Sequence, residues 1–141
     1  MRLVVDASVA VKWLVDEDGS IMALRLLDGG HEILAPRLMA TEVGNALRRK
    51  TLRGDLERSR AEELAEAIPQ MLVSWTLDEL LSADALRLAL ALNATVPDCL
   101  YLALAELIDV RLVTSDLRFV NTVANTEYQE SVTDLDAFVT A

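Results

Sequence analysis

The chain has little of several things that would decide a function early. It holds a single cysteine, Cys99, which rules out an intrachain disulfide and gives no sign of an oxidising compartment. Aromatic residues make up only 4% of its 141 residues, too few to build a stacking platform for unpaired bases. There is one histidine, His31, which follows Gly29-Gly30 in an expected loop, so histidine-driven acid–base chemistry is a poor fit. No apolar run approaches the roughly 18 residues of a membrane span. Asp6 and Lys12 interrupt any apolar signal-like core at the N-terminus, and the expected setting is cytoplasmic with no membrane partner. Glycine-rich phosphate loops and dinucleotide fingerprints are also missing.

What is present is apolar and acidic. Hydrophobic residues reach 52%, mostly Ala, Leu and Val, enough to bury a core, and the length suits one domain over residues 1–141. The formal net charge is −10, which opposes binding of phosphates unless cations are concentrated locally. One such concentration exists in "RRKTLRGDLERSR", with Arg48, Arg49, Lys50, Arg53, Arg58 and Arg60. A solvated helical face paired with Glu57, Glu62 and Glu63 is its ordinary reading.

Short apolar strands alternate with amphipathic helices along the whole chain, the rhythm of an α/β domain with a parallel sheet. Strands are expected near residues 2–6, at "EILA", at "MLVSW", at "RLVTS" and, weakly, at "YQESV". Between them the periodicity predicts helices at about 8–16, 20–28 and 38–53, with Gly29-Gly30 and Gly54 as stops. Ser59/Glu62 and Thr76/Glu79 have capping-box spacing and predict two further helix starts. "DCLYLALAELI" is apolar on nearly every side, as expected of a helix packed among neighbours. A short helix closes the chain after Thr133.

Four acids occupy unusual places in this layout. Asp6 stops the apolar run Leu3-Val4-Val5, and Asp116 ends "LVTSD". In an open parallel sheet ligands bind beyond the carboxyl ends of strands, where strand order reverses. Asp98 opens the most apolar helix, and Glu42 sits one position before the core residue Val43. Each alone has an ordinary role as a cap, a turn residue or a half-exposed side chain. Together in one pocket, charges about 4 Å apart would repel by roughly 4 kcal/mol at an effective dielectric of 20. Such a group must take up protons or a cation. Oxygen-only ligands favour Mg²⁺ or Mn²⁺ over zinc. Cys99, with no partner, reads as a small buried residue.

The segments "VVDASVAVKW", "ATEVGNALRR", "TVPDCLYLALA" and "LVTSDLRF", in this order and spacing, resemble the PIN domain family and, within it, the VapC-like toxins of toxin–antitoxin pairs. The resemblance implies a three-layer α/β/α sandwich around a parallel sheet of order 3-2-1-4-5. It implies Mg²⁺- or Mn²⁺-dependent endoribonuclease activity, with Asp6, Glu42, Asp98 and Asp116 as the acidic metal site. Ser8, Asn45 and Ser115 match polar positions lining that site in relatives. Arg48, Arg49 and Arg53 are the candidates for positioning the RNA backbone. Relatives of this kind form homodimers and are held by a partner antitoxin, and the apolar faces around 38–52 and the next helix are the expected contacts. Two departures stand out: Leu117 and Arg118 occupy positions where some relatives carry a further acid, and Cys99 replaces a small or aliphatic residue. A catalytically silent PIN-like module binding RNA or protein is the alternative. A phosphatase or receiver domain fits less well, since Ser8 stands where the former needs a second Asp and the only lysines are Lys12 and Lys50.

Overall fold

The computed structural model describes all residues, 1–141. Five strands form one parallel sheet: β1 (Arg2–Val5), β2 (Glu32–Pro36), β3 (Ser74–Thr76), β4 (Arg111–Thr114) and β5 (Val132–Asp134). Their order is β3-β2-β1-β4-β5, as the resemblance to the PIN domain family implies. The central strands bury unbroken apolar runs, Leu3-Val4-Val5 and Leu112-Val113, because a parallel sheet is covered on both faces.

Eight helices flank the sheet: α1 (Ala7–Leu14), α2 (Ser20–Asp28), α3 (Leu38–Leu52), α4 (Arg58–Ala67), α5 (Ser82–Leu92), α6 (Val96–Ile108), α7 (Leu117–Val123) and α8 (Leu135–Thr140). One layer presses α6 against β1, β2 and β4, with α5 packed on α6. The other carries α1 against α2 and α3, with α8 against α2, β4 and β5. Right-handed crossovers place the helices this way: chain entering β2 and β3 stays on one face, and the jump from β3 to β4 takes α5 and α6 to the other. Helix α6 buries every residue from Cys99 to Ala105, which is why its sequence lacks a polar face. No single helix is long and apolar enough to cross a membrane, and α5 and α6 are bent by 113° where they meet.

The helix stops follow glycine chemistry. Gly54 takes φ 83 after α3, where a side chain would be strained, and its N–H donates to Thr51 O at 3.0 Å. The two capping boxes do not form. Helix α4 starts at Arg58, and Glu62 pairs with the Arg58 guanidinium at 3.0 Å instead of reaching back to Ser59. Thr76 is consumed by β3, where it pairs with Pro36, and α5 begins only at Ser82. The third strand is also displaced: it covers Ser74–Thr76, because a 3₁₀ turn over Ile68–Gln70 occupies the chain just before "MLVSW". Asp78 then does a job invisible in the sequence, its Oδ1 accepting from the Leu38 N–H at 3.0 Å and so capping α3 from 40 residues away.

A small ion network ties α1 to α3. Glu17 accepts from Lys12 at 3.2 Å and from Lys50, with all three side chains mostly shielded from water. Burial raises the Glu17 carboxyl, but the two ammonium groups outweigh it and hold it below its usual range. A depressed carboxyl contributes stability above its unfolded pKa and loses it as pH falls through the folded value. Glu17→Gln is therefore expected to cost about 1–2 kcal/mol at pH 7, leaving two cations poorly paired. In urea titrations the gap to wild type should close below pH 4; a constant gap would assign the loss to packing.

Candidate active site

The carboxyl ends of β1 and β4 lie side by side at the point where strand order reverses. Val5 is opposite Val113 in the ladder, so the next residues, Asp6 and Thr114, face each other across the switch point. Asp6 leaves the strand in extended conformation and becomes the N-cap of α1, its Oδ1 accepting from the Ser8 N–H at 3.1 Å and from the Ser8 hydroxyl. Its other oxygen accepts from the fully buried Thr114 hydroxyl. Thr114 in turn accepts from the Asp116 N–H at 3.0 Å, and the Ser115 N–H donates to Ser8 Oγ at 2.8 Å. These bonds lace the two strand ends into one unit.

Asp116 is likewise an N-cap, taking the Arg118 and Phe119 N–H groups of α7 at 3.0 and 3.4 Å. The capping role and the strand-end placement hold together for both aspartates. Asp98 differs. Thr95 caps α6, its hydroxyl accepting from the Asp98 N–H at 3.3 Å, and the Asp98 carboxylate is not used as a cap. Glu42 stands on α3 and accepts from the hydroxyl of Tyr101 on α6, a residue only 2% exposed.

Asp6, Glu42, Asp98 and Asp116 line one cavity of about 270 Å³, together with Ser8, Asn45, Ala46, Arg49, Tyr101 and Arg118. The α3 contributors recur at 42, 45, 46 and 49, the stripe that one helical face presents. Of the residues expected from the sequence, Asp6, Ser8, Glu42, Asn45, Arg49, Asp98 and Asp116 meet here. Arg48, Arg53 and Ser115 do not line the cavity: Arg48 is solvent-exposed, Arg53 lies 3.7 Å from Asp55, and Ser115 reaches the unit only through its N–H. Arg58 and Arg60 of the basic run pair with Glu62 and Glu63 on a solvated face, while Lys50 turns inward onto Glu17, so half of the run is neutralised by acids.

The field in the cavity is negative. Burial lifts Asp6 to about 6, against the hydroxyl bonds from Ser8 and Thr114 that favour its charged form, and the charge of Asp116 adds to the rise. Burial also raises Glu42 and Asp98, each assisted by another acid of the cavity. Burial and the nearby Asp98 charge push the Cys99 thiol up to about 11, so it is no nucleophile at neutral pH.

The acids share the cavity without closing on a common point: no three acidic, histidine or cysteine side chains form a ready-made ligand set. Each of three carboxylates is instead tied to its own donor, which keeps like charges apart. An open ring of oxygen donors suits a small hydrated cation, since Mg²⁺ keeps several waters and uses one or two carboxylates directly. The donor chemistry thus suits a hard divalent ion better than zinc.

Thr114, Tyr101 and Arg118 belong to this site and carry no sequence signal of their own. Tyr101 is three residues after Asp98, and Thr114 two before Asp116, so helix and strand periodicity would have placed both beside the acids.

Comparison with known proteins identifies the family and the fold. Residues 3–125 match the PIN domain family model. Ribonuclease VapC3 of Pyrobaculum aerophilum is 40% identical over 120 residues, spanning 82% of this chain and 90% of that protein. Among solved structures, PAE2754 of Pyrobaculum aerophilum superposes with TM-score 0.71 at 20% identity, over 99% of this chain and 93% of that one. A toxin–antitoxin complex from Klebsiella pneumoniae gives 0.62 at 15% identity, over 94% and 97%. The chain belongs to the PIN domain family.

Proposed function

We propose that this protein is a divalent-metal-dependent endoribonuclease and the toxin of a VapBC-type pair. The observation that carries the reading is the meeting of Asp6, Glu42, Asp98 and Asp116, from four separate elements, in one cavity at the sheet's switch point. The ribonuclease name of the VapC3 relative supports the substrate class, and the fold shared with a toxin–antitoxin complex supports a protein partner.

Asp6, Asp98, Asp116 and Glu42 are the proposed holders of Mg²⁺ or Mn²⁺. Such an ion, when bound, lowers the pKa of water and stabilises charge on a phosphoryl group. The chain's own groups supply the rest. Ser8 and Thr114 fix the Asp6 carboxylate, Tyr101 fixes Glu42, and Asn45 offers an amide to the substrate. Arg49, like Arg118, brings a positive charge to the acidic cavity, where a phosphodiester needs one. A cognate antitoxin would neutralise the same acids with a cation of its own, and a homodimer is the assembly we propose in the cell.

The test is cleavage of RNA by the purified protein in Mg²⁺ or Mn²⁺ and in EDTA. Cleavage is expected with either ion and should vanish in EDTA, returning when the ion is restored. Cleavage that persists in EDTA, or none under any condition, would overturn the reading.

A further inference from the structure

A second cavity, of about 360 Å³, adjoins the acidic one and shares two of its residues, Asp98 and Arg118. Its other walls include Asn93, Thr95 and Thr122, so it is largely polar, with amide and hydroxyl groups rather than acids. Arg118 is the only cation on its lining.

The state of Arg118 is informative. Its guanidinium is 84% exposed and has one ionic neighbour, Asp116 Oδ2, at 3.8 Å, too far for a hydrogen bond. Asp116 does not depend on that contact, because its Oδ1 is already satisfied by the Arg118 and Phe119 N–H groups. An exposed pair of this kind contributes little to stability. Arg118 also lies near enough to Asp98 for its charge to favour the ionised form there. The guanidinium is thus held at the seam between two cavities by charges on one side, with its donors uncommitted. Arginine's fork suits a phosphate bidentately.

We infer that Arg118 anchors a backbone phosphate of the RNA and that the second cavity seats the nucleotide flanking the cleaved bond. The inference rests on the ribonuclease reading for the identity of the ligand. Arg118 is a positioning residue here, since the acids across the seam face the reacting phosphate. Walls that are mostly polar, with Ala94 and the largely buried Phe119 as their apolar part, suit a sugar and base edge recognised mainly through hydrogen bonds.

The experiment is fluorescence anisotropy of a labelled single-stranded oligoribonucleotide in Ca²⁺, at several salt concentrations, with cleavage in Mn²⁺ measured separately. Arg118→Ala is expected to weaken binding about tenfold and to flatten the salt dependence by about 0.7, the loss of one phosphate contact. Arg118→Lys should restore the slope. Thr122→Glu, which puts a carboxylate in the second cavity, should weaken binding by a similar factor. Arg87→Ala, which removes an exposed charge on α5, should leave the affinity within twofold. A slope unchanged in Arg118→Ala, equal losses in Arg87→Ala and Arg118→Ala, or no binding by wild type would each overturn the inference. Because the readout is binding, a wild type that binds through Arg118 but does not cleave would sink the nuclease reading and leave only the phosphate anchor at Arg118 standing.

Discussion

Asp6→Asn is expected to abolish most RNA cleavage while making the metal-free protein more stable at neutral pH. The two effects share one cause. Burial holds the Asp6 carboxyl at about 6, against an ordinary value of 3.8. Between these values the folded protein keeps a proton that the unfolded chain has released. Stability therefore declines as pH rises from about 4 to 6 and is level above that, lower by about 3 kcal/mol once Asp6 is ionised. Asparagine keeps the shape, its Oδ1 still accepting from Ser8 while its Nδ2 donates to Thr114 Oγ1, and it carries no charge. In EDTA at pH 7.5 the variant should melt about 3–8 °C above wild type, and the two should converge near pH 4. Added Mn²⁺ should reverse the order, because only wild type retains the charge that makes ion binding a stabilising linkage. Cleavage should fall by at least about 10²-fold, the loss of a few kcal/mol of charge stabilisation. Wild-type cleavage by the variant, or a melting temperature at or below wild type throughout pH 4–8 in EDTA, would remove Asp6 from the proposed role.

That trade explains why much of this site is legible in the sequence. A carboxylate that ends an apolar strand, as Asp6 does after Leu3-Val4-Val5, or that follows one closely, as Asp116 does, conflicts with local hydrophobic logic and so announces itself. Asp98 and Glu42 are visible for the same reason, being charges on or beside buried helical faces. Most helix limits are equally readable, since period and glycine stops agree locally, whereas the strand order follows only from the resemblance to the PIN domain family. What the sequence conceals is whatever looks ordinary. Thr114 is a normal strand residue and Tyr101 part of an apolar helix, yet their hydroxyls hold two of the acids. Arg118 reads as a missing acid and proves to be a cation on the cavity wall. Lys50 reads as part of a basic surface and is folded inward onto Glu17. The capping boxes fail in the opposite sense: the local signal is present, but Arg58 and the β2–β3 pairing compete for Glu62 and Thr76 and win.

Thr114 provides the sharpest separation of propensity from site chemistry. Valine is nearly isosteric with threonine and a better strand former, so by propensity Thr114→Val in a buried strand should be neutral or stabilising. The structure predicts the reverse. The lost hydroxyl leaves Asp6 Oδ2 without its donor and the Asp116 N–H without its acceptor, both at the closed end of β4. Stranding a carboxylate oxygen and an amide in this way should cost roughly 2–4 kcal/mol at pH 7. Thr114→Ser, which keeps the hydroxyl and drops a methyl group, should cost about 1 kcal/mol. Cleavage should fall about tenfold or more in the valine variant, as when a group orienting a metal ligand is removed. The decisive measurement is a double-mutant cycle with Asp6→Asn, read by chemical denaturation. Once Asp6 is neutral, half of the penalty has no charge to act on, so the two substitutions should be non-additive by about 1–2 kcal/mol. Strict additivity, or a valine variant as stable as wild type, would mean that Thr114 fills space in the strand and does not hold the acid.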